Sequence, residues 1–443
     1  MSISPTVQRP MAARVRGPLR GCGRAPRDQS ISHRALILGL LATGESRIEG
    51  LAESADVLGT VAAIRAFGAR ALRHGPGDWS IWGCGIGSLL APVAPLEVGG
   101  IGGQLIMGIA AGHGFEATFT GAAAPRLRSL LDGLVRMGAE ANVQAEPERC
   151  LVFLRGTPEP APIDYLVSRP CAALKSAILL AGLNSPGAVT VREAWATADH
   201  TETMLRHFGA EVLSKPYGQE GRKVTLRGRP DLRGTPVHVP GDPSAAAYAV
   251  VAALIVPGSD IVIEDVSLNP LRIGLLMTLC DMGAQIDILK PRQANGEDVA
   301  DLRVRHSVLR GIEVPAARSR AIGDGYPLLA TAAAFAQGQM RLCGAAERSD
   351  SASPVLVQMV AGLAQAGVPH RVEGSDLIIE SDGRVSGGAC ISAPLDPRAA
   401  MSLLVLGLGA REPVTVADSG TIATNFPDFH ILMSTFGTEF EAA

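Results

Sequence analysis

Phe67-Gly68-Ala69, Met137-Gly138-Ala139, Phe208-Gly209-Ala210, Met282-Gly283-Ala284, Ala366-Gly367-Val368 and Phe436-Gly437-Thr438 are six versions of one short stop. Each closes an apolar helical run, and their glycines stand 70 to 84 residues apart. Self-similarity at a period of about 70 residues decides the architecture ahead of any motif, because every unit places equivalent helix ends in equivalent positions.

Working outward from the first stop defines the unit. Ser30 to Leu41 reads as an apolar helix with Ser30 as its N-cap, ended by Gly44. Ser46 to Leu51 alternates like a strand. A second helix runs from Asp56 to Phe67, and Gly68 is its left-handed C-terminal glycine. Another strand follows. The order recurs from Gly102, Cys171, Asp242, Tyr326 and Asp396, each opening a nearly all-apolar helix. A helix apolar on every side is buried. The pattern therefore predicts an α/β fold with sheets wrapped around a helical interior.

Composition narrows the class. The chain has 443 residues, enough for two domains, and 47% hydrophobic content supports large cores. The longest apolar run, Ser244 to Pro257, is too short and too rich in alanine to span a membrane. Seven cysteines without a Cys-x-x-Cys spacing point to a reducing compartment, with neither disulfides nor zinc. A net charge of −3 gives no nucleic-acid footprint. The expectation is a cytoplasmic monomer that binds a small carboxylate-bearing molecule, without cofactor or metal, and without nucleic-acid or membrane partners. The N-terminus carries six arginines and no acid before Asp28. It lacks the apolar segment of a secretory signal, so it reads as a solvated basic arm, with a transit peptide as the lesser alternative. There is no phosphate-binding Gly-x-x-x-x-Gly-Lys and no His-Glu-x-x-His, and Gly83-Cys84-Gly85-Ile86-Gly87 is too irregular for a dinucleotide fingerprint.

Val239-Pro240-Gly241-Asp242-Pro243 closes the third unit and opens the fourth. Pro and Gly at that boundary suit a linker between two three-unit domains. The expected division is 1–24 plus 240–443 for a domain formed by both termini, and 25–239 for an inserted domain. A cleft between them, facing the N-termini of the buried helices, would suit anions.

The helix-opening residues carry a specific resemblance. Ser30-Ile31-Ser32-His33-Arg34-Ala35-Leu36, Asp199-His200-Thr201-Glu202, Val239 to Ser244, Asn269-Pro270 and Asp324-Gly325-Tyr326-Pro327 occur in the order seen in EPSP synthase, the enolpyruvylshikimate-phosphate synthase family. The chain resembles that family from about residue 18 to its end, and is most similar to the glyphosate-tolerant bacterial class, as in Lys175 to Asn184. The resemblance implies the enolpyruvyl transferase fold, a two-domain inside-out α/β barrel in which each domain holds three βαβαββ units. It also implies a reaction: the enolpyruvyl group of phosphoenolpyruvate joins the 5-hydroxyl of shikimate-3-phosphate.

Several family motifs are changed. The family's Gly-Asp-Lys-Ser reads Arg27-Asp28-Gln29-Ser30, which puts Gln29 where a lysine faces the pyruvyl group. The Asn-Ala-Gly/Ala-Thr helix opening reads Gly99-Gly100-Ile101-Gly102-Gly103, and only Arg126 or Arg128 stands near the family's phosphate-loop arginine. Ser-Ala-Gln is Cys171-Ala172-Ala173, Arg-Asp-His-Thr-Glu begins with Ala198, and Lys-Glu-Ser-Asp-Arg aligns with Ser351 to Val355. Asp-His-Arg is Asp396-Pro397-Arg398. A hydrogen bond to a charged group contributes about 1.5–3 kcal/mol. The four cationic positions replaced by Gln29, Ala198, Ser351 and Val355 thus predict a loss on the order of 10⁴ in affinity for both family substrates.

The candidate residues follow from what is retained or new. The resemblance implies that Asp324 contacts the reacting hydroxyl as a base, that Arg34 binds the ring carboxylate and that Arg398 binds the carboxylate of phosphoenolpyruvate. An N-cap role is the alternative for Asp324, and a structural acid partner the alternative for Arg34. Ser30, Gln29, Arg128, Lys175 and Tyr326 complete the expected substrate contacts. Cys171, at the N-terminus of a buried helix with Lys175 one turn on, is a candidate nucleophile because the helix dipole favours a thiolate. Inert packing is its competing role. His33 and the Asp199-His200-Thr201-Glu202 helix start, with Asp199 as cap, read as structural. The changed motifs lead to the expectation of a dismantled site reassigned to another small cyclic carboxylic acid. The alternatives are a non-catalytic binding protein, and an EPSP synthase of low activity that uses Arg27 and Arg126 or Arg128.

Overall fold

The structure, a computed structural model, describes residues 10–121, 124–145, 150–344, 354–392 and 395–442. The chain separates into two compact units. One comprises Arg27–Pro240 with Gln293–Glu297; the other holds the described residues up to Pro26, Gly241–Arg292 and those from Asp298 onward.

The first unit is built on three buried helices, Gln29–Leu41, Gly100–Ala111 and Ala172–Ala181. Their all-round apolar sequence leaves no face for water, so they pack on one another and on the inner faces of three four-stranded sheets. Every residue from Ile31 to Leu41 is buried. The second and third helices approach closely at Gly108, where a Cβ would fall 2.7 Å from the Ala177 Cα. Any side chain at 108 would push the two helices apart. The sheets repeat one plan, shown by Leu96–Glu97, Glu116–Thr120, Cys150–Arg155 and Glu140–Ala145 in spatial order. The first pair is parallel and the other two are antiparallel. Phe119, Ile48 and Val191 hold matching inward positions in the three sheets and are fully buried.

The second unit repeats the plan with helices Pro243–Ile255, Tyr326–Ala334 and Pro397–Gly409 and three more four-stranded sheets. The chain ends meet in one of them, where Met11–Val15 pairs antiparallel with Thr438–Ala442. Two of its helices open on the same Asp-Pro pair. Asp242 accepts from the Ser244 N–H at 2.7 Å and Asp396 from the Arg398 N–H at 2.9 Å, while each proline takes a first-turn position that needs no donor.

All six glycine stops adopt the left-handed conformation expected of them, with φ between 76° and 106°. The first helix begins earlier than its sequence suggests. Asp28 is the N-cap, its Oδ1 accepting from the Ile31 N–H at 2.9 Å, and Ser30 lies inside the first turn. The carboxylate of Asp28 reaches the third helical N–H, which leaves no capping role for the serine. Asp199 occupies the N-cap position of His200–His207 but its side chain makes no capping bond. Among the described residues no helix is long and apolar enough to cross a membrane.

Candidate active site

Arg34 lies one turn into the first buried helix and is 2% exposed. Its Nη1 donates to the Ser30 carbonyl at 2.8 Å, its Nε to the Thr201 hydroxyl at 2.7 Å and its Nη2 to the Ser176 hydroxyl at 3.2 Å. These acceptors orient the guanidinium. Next to it, His33 is held by the Thr60 hydroxyl at 2.8 Å and lies against Gly102, where a Cβ would come within 2.6 Å of the ring. Burial, reinforced by the neighbouring Arg34 charge, lowers the His33 pKa to about 4, so the ring is neutral at neutral pH.

Lys175 lies in the core, not at a solvent-facing surface. Its ammonium meets Glu202 at 2.8 Å, Glu193 at 3.0 Å and the Thr197 carbonyl at 3.1 Å. An ammonium has three N–H groups, and all three are committed. This corrects the expectation of a substrate contact at Lys175. Burial works against its charge, but the fields of Glu202 and Glu193 outweigh that and hold its pKa above the ordinary value. Glu193 moves the other way: burial raises its pKa, and Lys175 offsets only part of the rise.

The remaining first-unit candidates sit at helix openings. Gln29 and Ser30 are half-buried in the first turn of the first helix. Cys171 is the N-cap residue of Ala172–Ala181, partly exposed, with a free thiol and no capping bond. Gly99, at the head of Gly100–Ala111, has no side-chain cap either. Arg128 is exposed on the helix Ala124–Arg136, in a different element from the other candidates. The side chain of Arg126 lies outside the described residues, as do Ser351, Ala352 and Ser353. Val355 is described and is buried.

In the second unit, Asp324 stands in the single turn Gly323–Gly325 ahead of Tyr326–Ala334, with its side chain 80% exposed. It makes no capping bond, and its Oδ1 meets Nη1 of Arg398 at 2.5 Å. Arg398 also forms a two-point pair with Asp396, Nε to Oδ1 at 2.8 Å and Nη2 to Oδ2 at 2.9 Å. Those bonds raise the Arg398 pKa well above its usual value despite partial burial. Burial alone would raise the Asp396 carboxyl, but Arg398 holds it below the usual range. Tyr326 is buried at the head of its helix.

Tyr248 is a neighbour that sequence reasoning missed. Its phenol is buried, which raises its pKa, and it lies within the fields of Arg398, Asp324 and Asp396. Ser176 and Glu193 were missed as well, whereas Thr201, read as part of a structural helix start, accepts from Arg34. Ser176 follows Lys175 directly and so had a local signal. Glu193 comes from the strand Ala188–Glu193 and had none. Among the described residues no group of three His, Cys, Asp or Glu could hold a metal ion.

The fold and these helix openings are those of an enolpyruvyl-transferase type of protein, and comparison with known proteins narrows the class. The family model of EPSP synthase (3-phosphoshikimate 1-carboxyvinyltransferase) matches residues 13–433. The 3-phosphoshikimate 1-carboxyvinyltransferase of Methylobacterium radiotolerans is 52% identical over 97% of both chains. That of Rhodopseudomonas palustris strain HaA2 is 48% identical over 97% of this chain and 98% of its own. The solved EPSP synthase of Acinetobacter baumannii covers 98% of this chain and 100% of its own, at 33% identity and a TM-score of 0.88. The enolpyruvyl transferase NikO from Streptomyces tendae shares the fold, with a TM-score of 0.71 at 18% identity. The chain belongs to the EPSP synthase family.

This finding overturns the expectation of a reassigned or non-catalytic protein. Relatives half identical along their whole length bear the name of the family enzyme. Tallying lost motif cations counted each replaced side chain as a loss. It gave no credit to backbone N–H groups at helix N-termini, which bind anions without a cationic side chain.

Proposed function

We propose that this chain is a 3-phosphoshikimate 1-carboxyvinyltransferase that works with a residue set departing from the family pattern. The observation that carries the reading is the 52% identity over 97% of both chains to a relative of that name. The 5-hydroxyl oxygen of shikimate-3-phosphate becomes bonded to C2 of the enolpyruvyl group, the bond from C2 to the phosphate oxygen breaks, and phosphate leaves. Asp324, exposed and charge-paired, takes the hydroxyl proton. Arg34 binds the ring carboxylate and Arg398 the carboxylate of phosphoenolpyruvate. Because Asp324 occupies Nη1 of Arg398, a substrate carboxylate that binds there loosens Asp324 as it arrives. Gln29 and Ser30 stand in the opening turn of the helix that carries Arg34, and Tyr326 opens the helix that follows Asp324. Cys171 stands where the family has a serine, and its helix opening offers backbone N–H groups rather than a cation. Gly99 does the same, and both helix ends suit a phosphate.

The test is phosphate release by purified protein supplied with phosphoenolpyruvate and shikimate-3-phosphate. Turnover on the order of 10 s⁻¹, the middle of the ordinary enzyme range, is expected. Release no faster than in a protein-free control refutes the assignment.

A further inference from the structure

Two consecutive residues on each of two helices build the seat of Arg34. The helix Ala172–Ala181 supplies Lys175 and Ser176, and the helix His200–His207 supplies Thr201 and Glu202. Lys175 and Glu202 form one rung between the helices at 2.8 Å, and Thr201 donates to Ser176 at 2.8 Å to form the next. The Thr201 hydroxyl has one proton and gives it to Ser176, so its lone pairs face the Nε–H of Arg34 at 2.7 Å. The orientation of the guanidinium therefore depends on the register of these two helices.

The ion cluster is a costly way to join helices. Lys175, Glu193 and Glu202 are each 1% exposed, and Oε2 of Glu202 has no hydrogen-bond partner. Apolar side chains of similar volume serve stability as well or better, whereas a charged cluster tolerates one geometry. What it supplies here is register.

We propose that Lys175, with Glu202 and Glu193, is a positioning residue for Arg34: it locks the two helices whose hydroxyls aim the guanidinium at a substrate carboxylate. The kinetic readout rests on the function proposed above, and a second readout does not. The variant Lys175→Met with Glu202→Met replaces the rung with apolar contact. Combined with Glu193→Gln, so that no buried carboxylate is stranded, it is expected to melt near the wild-type temperature, yet to raise KM for shikimate-3-phosphate about tenfold or more, the worth of a misaligned charged hydrogen bond. Its kcat should stay within about threefold and KM for phosphoenolpyruvate should hold, the signature of lost ground-state binding. An unchanged KM for shikimate-3-phosphate at retained stability overturns the proposal. Where that variant does not fold, Glu202→Gln, which leaves Lys175 paired with Glu193, is read by the same criteria. The independent readout is proton exchange at the Arg34 Nε–H, followed by NMR and assigned with Arg34→Lys. Slow exchange in the wild type and fast exchange in the variant support positioning even for a protein without EPSP synthase activity. Equal exchange in both refutes it.

Discussion

Each unit carries an arginine on a buried helix, and the two are held in opposite ways. Arg34 is buried and oriented by two hydroxyls and a backbone carbonyl. Arg398 keeps a side chain 29% exposed and is held by two carboxylates, one of them on a highly exposed aspartate. The same contrast runs through their surroundings. The first unit sinks Lys175, Glu193, Glu202 and His33 into its core, while the second leaves Asp324 open to solvent. A buried charge must be satisfied by the fold itself, so it serves geometry. An exposed pair contributes little to stability and exchanges partners readily, so it is free to serve chemistry.

The sharpest way to break this contrast is Asp324→Asn. It is expected to lower kcat by about 10²–10⁴, the usual worth of one general base. The melting temperature should barely change, because the side chain is exposed and caps nothing. Phosphate-release kinetics beside a thermal melt decide the matter, and retained activity with a large drop in stability reverses the assignment. Lys175→Met is the counterpart in the core. It strands two buried carboxylates and should destabilise the protein by about 3–5 kcal/mol in urea unfolding. A change below about 1 kcal/mol would place Lys175 with the exchangeable surface charges instead.

His33 sharpens the contrast through pH. Its folded pKa, about 4, lies below the unfolded value near 6.5, so the unfolded chain takes up the proton first. Its contribution is complete above about pH 6.5 and is lost as pH falls toward 4, by at most about 1.4 kcal/mol per pH unit. Unfolding free energy measured between pH 7 and pH 4 should fall less steeply in His33→Gln than in the wild type. Identical slopes would show that the ring is not sealed away. The smallest effect concerns caps. Asp28→Ala should destabilise by about 1 kcal/mol while Asp28→Asn, which still accepts from the Ile31 N–H, is nearly neutral.

The counting of motif cations failed for a reason visible in these two regions. At Gln29, Ala198 and Val355 the sequence shows which charge is absent. It does not show what the folded chain presents around those positions, such as the uncapped helix openings at Gly99 and Cys171. It also treated Lys175 as a cation available to substrate, since a lysine on a helix reads the same whether its ammonium meets solvent or two carboxylates. Asp28 displaced Ser30 as cap by the same kind of error: both are good capping residues, and only the backbone path chooses between them.

What the sequence determined by itself is whatever depends on neighbours close along the chain. The six glycine stops, the Asp-Pro helix openings at 242 and 396 and the all-apolar helices follow from local backbone preference and from patterning with a helical period. Repeated six times, they were enough for the architecture. Tertiary structure alone decided what depends on packing between distant segments: Arg34 with Thr201, 167 residues away, and Tyr248 beside Arg398. It also decided the burial that makes Lys175 a scaffold and the exposure that leaves Asp324 at the surface, paired with Arg398. Side-chain identity states which charge is present, but its protonation, partners and exposure are set by the dielectric and geometry of surroundings that exist only once the chain has folded.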